Sequence, residues 1–146
     1  MLTLTSTIDE MEYAMAQHEP FECPIVHRFA PGLYIREMTL PAGVLTTSME
    51  HKTAHAFVVS KGKIEVISEN EGAVIYEAPY CGITQPGTRR MAYAVEETVW
   101  TTFHVTEETD VETIANEILE PRSNPLLGEG QESFEQWRKS LPSPNN

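Results

Sequence analysis

Between Arg28 and Thr106 apolar and polar residues alternate in short runs rich in Val, Ile, Thr, Tyr and Phe. Each run is cut by a turn-forming group: Pro31-Gly32, Pro41-Ala42-Gly43, Gly62, Gly72 or Pro86-Gly87. This two-residue rhythm predicts strands over 33–40, 44–49, 55–60, 63–68, 73–78, 90–95 and 99–105. The connections are too short to hold helical crossovers, so the pairing is antiparallel. A closely spaced series of this kind closes into a sandwich or barrel. On the last strand Trp100, Thr102 and His104 share one face, and Val99, Thr101, Phe103 and Val105 the other. Alternation alone leaves open which face is internal.

At either end the period changes. Thr7-Ile8-Asp9-Glu10 is a capping-box pattern, followed by Ile8, Met11 and Met15 on one helical face and bounded by Pro20. Thr109-Asp110-Val111-Glu112 repeats the pattern, and Val111, Ile114, Ala115, Ile118 and Leu119 then keep helical spacing up to Pro121. Residues 121–130 read as a linker, and Phe134, Trp137 and Leu141 mark the face of a last short helix that docks internally or on another subunit. The predicted organisation is an N-terminal helix and lead-in over 1–31, a β-barrel over 32–106, C-terminal helices and linker over 107–141, and a flexible tail over 142–146.

A chain of 146 residues, 40% hydrophobic and 22% charged, suits one folded domain. Its net charge of -12, with acids gathered at the start and from Glu96 onward, repels phosphate backbones and argues against nucleic-acid binding. A local site such as Arg89-Arg90 could still receive one small anion. Cys23 and Cys81 form no disulfide or zinc-ribbon pattern, residues 1–10 lack the features of a secretory signal, and no run approaches membrane-spanning length. The expectation is a soluble cytoplasmic protein.

Five histidines raise the question of a metal. On a continuous strand His51 and His55 would stand about 13 Å apart, too far to share an ion, so a turn at Lys52-Thr53-Ala54 is required. His104 is the obvious third imidazole, whereas Glu50 alternates away from His51. If His51, His55 and His104 converge, Fe, Mn, Ni or Zn could bind with positions left open for a substrate. Otherwise they are polar pocket residues. Tyr34, Phe57, Tyr93 and Trp100 are aromatic walls or ordinary core. Arg89 and Arg90 point to opposite faces, so whichever faces outward can pair with acids such as Glu96 or Glu97. Pro86-Gly87-Thr88 reads as a turn and not a phosphate loop, and no nucleophile-base pair can be argued from spacing.

The run from Gly43 through His51 and His55 to Gly62, and the run from Tyr80 to Arg90, resemble the paired motifs of the cupin superfamily. Those motifs are built on a Gly, an HxH pair, a Glu and a later Gly, and on Gly-x5-Pro-x-Gly-x2-His. In this chain Met49 stands at the first His, His51 at the second and His55 at the Glu; Gln85 replaces a Pro and Arg90 the final His. The similarity spans 32–106 and is nearest to short cupin-like proteins of tailed bacteriophages and prophages, through HKTxH, Pro-Gly-Thr-Arg-Arg and VWTTFH segments.

The resemblance implies a mainly β fold, a single cupin-type antiparallel jelly-roll barrel with short flanking α-helices, in which adjacent strands bring His51 and His55 to the mouth. It implies no settled activity. An Arg at the fourth ligand position repels a cation and invites a carboxylate or phosphate. The expected ligand-binding residues are His51, His55, Arg90, Tyr93, Trp100 and His104, with His51, His55 and His104 as the metal set. The expected role is binding of a small polar or anionic molecule without turnover. The alternatives are a metal-dependent oxygenase or isomerase and a structural, virion-associated oligomer. A homo-oligomer, most simply a dimer, is expected, in the host cytoplasm if the chain is phage-encoded.

Overall fold

The structure, a computed structural model, describes residues 4–17, 23–69, 71–121 and 124. Helix α1 (Leu4–Ala16) precedes nine strands: β1 (Ile25–Ala30), β2 (Leu33–Leu40), β3 (Leu45–Thr47), β4 (His55–Lys61), β5 (Lys63–Ser68), β6 (Gly72–Glu77), β7 (Tyr80–Thr84), β8 (Arg90–Ala94) and β9 (Thr98–Val105). Helix α2 (Val111–Ile118) follows. The strands form a five-stranded sheet in the order β1-β2-β9-β4-β7 and a four-stranded sheet in the order β3-β8-β5-β6. Every pairing is antiparallel, as the short connections require.

The core lies between the sheets. Leu40, Phe57, Val59, Ile64, Val66 and Ala94 are buried together there, with Phe57 stacked on Trp100 at 4.4 Å. Strands β4 and β5 alternate buried and half-exposed residues along their length. Gly62 sits between them at φ 91, where a side chain would run into the backbone carbonyl of Glu97. Gly82 faces Phe57 across β7 and β4, and a Cβ there would lie 2.7 Å from the Phe57 ring. The aromatic core therefore depends on a missing side chain.

Two strands went unforeseen. β1 pairs with β2 along its whole length, so the sheet begins at Ile25 and not at residue 33. β7, which follows Pro79 and contains Gly82, pairs with β4 and closes the edge of the same sheet. Helix α1 begins at Leu4, so Thr7 lies inside it and the predicted capping box does not mark its start. At α2 the N-cap is Asp110 and not Thr109: its carboxylate accepts from the Thr113 backbone N–H at 3.0 Å.

Helix α1 is fixed by a buried charge cluster. Arg89 meets Asp9 Oδ1 at 2.8 Å and Glu12 Oε1 at 2.7 Å, and Thr47 Oγ1 donates to Glu12 Oε2 at 2.9 Å. Asn124 Nδ2 donates to the Asp9 carbonyl at 2.9 Å and to Glu12 Oε1 at 3.0 Å. The partners of Arg89 are thus acids of α1, and not Glu96 or Glu97. The expected helix carrying Phe134, Trp137 and Leu141, and the tail, lie outside the described residues. Among the described residues no helix is long and apolar enough to cross a membrane.

Candidate metal and ligand pocket

One end of the space between the sheets opens into a cavity of about 230 Å³, lined by both sheets and by Val111, Ile114, Ala115, Ile118 and Leu119 of the α2 region. The helix covers this mouth because its apolar side packs on Tyr34. Its end is tied to the strand connection: Lys52 N–H donates to the Ile118 carbonyl at 2.7 Å, Glu120 N–H donates to the Glu50 carbonyl at 2.9 Å, and His51 bridges to Leu119. The segment that carries His51 is therefore held by the helix that roofs the cavity.

The backbone turns between His51 and β4, and the two imidazoles meet with ring centroids 4.2 Å apart. His104 projects inward from β9, its ring 4.6 Å from His55 and 5.4 Å from His51. One nitrogen from each lies within 4.8 Å of the other two. Bringing them onto one ion at bonds of about 2.0–2.1 Å needs only ångström-scale side-chain rotation. Burial, and the neighbouring His55 and His104, push the His51 pKa down to about 3. Burial and then His55 bring His104 to about 3, and burial and then Arg90 bring His55 to about 4. All three are neutral at pH 7 and carry the lone pairs that coordination needs.

Hydrogen bonding fits the same set. Buried His55 Nδ1 makes no hydrogen bond of good geometry in the described structure, although the Thr53 backbone stands close enough to the ring to favour its protonated form. His104 Nε2 contacts Thr102 Oγ1 at 2.9 Å, which fixes its ring orientation. A divalent transition metal suits three neutral imidazoles at the edge of a cavity, and His51, His55 and His104 are the residues that would hold it.

Arg90 also faces this cavity and is 8% exposed. Its Nη1 donates to Thr84 Oγ1 at 3.0 Å, and its guanidinium lies over Phe57 and Trp100, 5.3 Å and 5.8 Å from their centroids. Its buried Nε has no acceptor, and Glu71, half-exposed and bonded to the Tyr76 hydroxyl, stands 4.0 Å away. Burial lowers the Arg90 pKa, but a guanidinium remains charged at any physiological pH. Arg36 lines the cavity from β2. Among the described residues no Asp or Glu lines it.

The internal face of β9 is therefore the one that carries Trp100, Thr102 and His104. Trp100 and Tyr34 line the cavity, whereas Phe57 belongs to the core. Tyr93 stands elsewhere: Arg90 and Ala92 point inward, so strand alternation turns Tyr93 outward, 43% exposed and off the cavity wall. Met49 lines the cavity and Glu50 does not. Sequence reasoning missed Arg36 and His27. Their signal was the pairing of β1, β2 and β9, which places His27, Arg36 and Thr102 in one cross-strand row. His27 Nδ1 lies 2.7 Å from the buried Tyr34 hydroxyl, and the Tyr34 ring stacks towards His104 at 5.8 Å.

No family model and no curated protein matches the chain. Solved structures do. A conserved protein with a double-stranded β-helix domain from Klebsiella pneumoniae superposes with a TM-score of 0.51 at 15% identity, over 61% of this chain and 81% of that one. A candidate ethanolamine utilization protein Q from Salmonella typhimurium gives 0.50 at 10% identity, over 59% and 71%. An RmlC-like cupin with a double-stranded β-helix fold from Methanocaldococcus jannaschii gives 0.49 at 9%, over 58% and 81%. Such low identities speak to the fold alone. Together with the antiparallel two-sheet topology, the likeness to the Klebsiella double-stranded β-helix domain shows a mainly β, cupin-like jelly-roll fold.

Proposed function

We propose that this protein holds one divalent transition metal through His51, His55 and His104 and receives a small anionic molecule beside it, with Arg90 as the anion's partner. The observation that carries this reading is the convergence of three neutral imidazoles, those of His55 and His104 buried and that of His51 half-buried, at the wall of a cavity lined by Arg36 and Arg90 and, among the described residues, by no carboxylate. Iron, manganese, nickel or zinc suits the donor set. A metal held by three side chains keeps positions open towards the cavity, where it would polarise an oxygen of the bound molecule. The chain's own residues then divide the work. Arg90 and the Thr84 hydroxyl bonded to it orient the anionic end, Trp100 supplies an apolar wall, and α2 keeps bulk water from the mouth.

Metal-assisted turnover, as an oxygenase or isomerase, is the second reading, favoured by the open side of the imidazole cluster. The resemblance to short phage and prophage cupins supports placing the protein in a host cytoplasm. A dimer is supported by the outward row Ile35, Phe103, Ala56 and Ile83 across the five-stranded sheet, in which Ile83 is 57% exposed. Virion attachment, the structural alternative, is tested by the copy number of the protein in purified particles.

The test is elemental analysis of protein purified without a metal-affinity tag, for the wild type and for His51→Ala, His55→Ala and His104→Ala. Near-stoichiometric metal in the wild type and its loss in each folded variant are expected. Metal-free wild type after reconstitution with all four ions, or metal retained in all three variants, would contradict the assignment.

A further inference from the structure

The four-stranded sheet has an outer face that is covered at one corner and open beyond it. Arg90 and Ala92 point into the cavity, so Arg89, Met91 and Tyr93 point the other way along β8. Across the strands Met91 lies beside Thr47 and Ile67, and Tyr93 beside Leu45 and Glu65, which pairs in turn with Ile75. Helix α1 covers the corner, where Asp9 and Glu12 meet Arg89 and Glu12 accepts from Thr47. Away from it the face is mostly apolar: Ile67 and Met91 are half-buried, Tyr93 is 43% exposed and Ile75 56%. The chain returns to the same corner at Asn124, whose buried side chain donates to the Asp9 carbonyl and to Glu12. Residues 125–146 therefore start at the border between the covered and the open part of the face.

We infer that residues 131–141 dock as an amphipathic helix on this outer face of their own chain, with Phe134, Trp137 and Leu141 against Met91, Tyr93 and Ile75. The sequence supplies the stripe: the three side chains hold i, i+3, i+7 spacing, about 10 Å long at a rise of about 1.5 Å per residue. Four strands about 4.8 Å apart make a face about 14 Å wide, which such a stripe spans. The connection from Asn124 to Phe134 reaches up to about 33 Å when extended, enough to set the helix anywhere on the face. A tether of this length holds the segment at an effective concentration in the mM range, which a second copy in dilute solution does not match. Tyr93, which stands off the cavity, is then a docking residue, and the outward row of the five-stranded sheet is left free.

The experiment replaces Tyr93 of the full chain with the photo-crosslinking amino acid benzoylphenylalanine and maps the adducts by peptide mass spectrometry. A mixture of isotope-labelled and unlabelled protein separates adducts within a chain from those between chains. Adducts within one chain to residues 131–141 are expected. The inference is overturned by adducts to 131–141 of another copy only, by adducts to the sheet face of another copy, which would make this face a subunit interface, or by no adduct at all. A second measurement keeps Tyr93 and uses trypsin, which cuts after Arg138 and Lys139 inside the segment. Cleavage there is expected to be about ten-fold faster in Ile75→Asp and in Trp137→Asp than in the wild type, the effect of losing one buried apolar side chain. Equal rates in the wild type and in both variants would overturn the inference. The crosslink decides the question even where Ile75→Asp does not fold.

Discussion

Arg89 and Arg90 are neighbours in sequence and almost equally buried, 6% and 8% exposed, yet they inhabit opposite electrostatic worlds. Arg89 is matched by two carboxylates of α1, each within 2.8 Å. Arg90 has a threonine hydroxyl, two aromatic faces and one distant, half-exposed acid. In the first arrangement the charge is matched by close carboxylates, and its consequence is structural: it pins a helix to the barrel. The second is incomplete, and a buried cation left incomplete beside a cavity marks where a ligand supplies the rest.

The contrast can be broken by stability. Arg89→Met leaves Asp9 and Glu12 buried without their cation and should cost about 3–5 kcal/mol, measured by urea or thermal unfolding. Arg90→Met removes a charge that has no close counterion, losing cation–π contact of about 0.5–2 kcal/mol while relieving desolvation. Its stability should therefore stay within about 2 kcal/mol of the wild type. Equal, large losses in the two variants would erase the distinction.

The three histidines supply the next effect. Their folded pKa values, about 3, 4 and 3, lie below the ordinary value of 6.5, so the unfolded chain binds more protons than the folded one. Their contribution to stability is full above pH 6.5 and is lost as pH falls towards 4, at up to about 1.4 kcal/mol per pH unit for each. Metal-free protein should lose Tm steeply over this interval, and His104→Asn should flatten the slope. A profile that is flat between pH 6.5 and 4.5 would show that the imidazoles are not desolvated.

The smallest effect belongs to the surface. Lys61 and Glu97 meet at 2.6 Å, but their side chains are 61% and 51% exposed. Lys61→Ala should change stability by only about 0–1 kcal/mol, and still less at high salt. A loss as large as that of Arg89→Met would mean that burial is not what separates the two kinds of ion pair.

Much of this was legible from residues alone. The strands of the barrel centre announce themselves by strict alternation, and β5 falls on 63–68 as the pattern predicts. The turn after His51, required by the reach of a strand, is present, and His104 joins the pair it was expected to join. The sheet edges were hidden for a physical reason. In β1 the run from His27 to Ala30 is partly exposed and mixes charge with aromatics, and in β7 the glycine that admits Phe57 weakens the strand pattern. Arg36 was invisible because only the register of β1, β2 and β9 says which face its side chain takes. The partners of Arg89 were mistaken because Asp9 and Glu12 lie about eighty residues away and meet it only through the docking of α1.

The most direct measurement of the central claim is anomalous X-ray diffraction from crystals of protein reconstituted with zinc or manganese. One anomalous peak per chain, bonded at about 2.0–2.2 Å to nitrogens of His51, His55 and His104, is the predicted result. A peak elsewhere on the molecule, or none between these three rings at saturating metal, would contradict it.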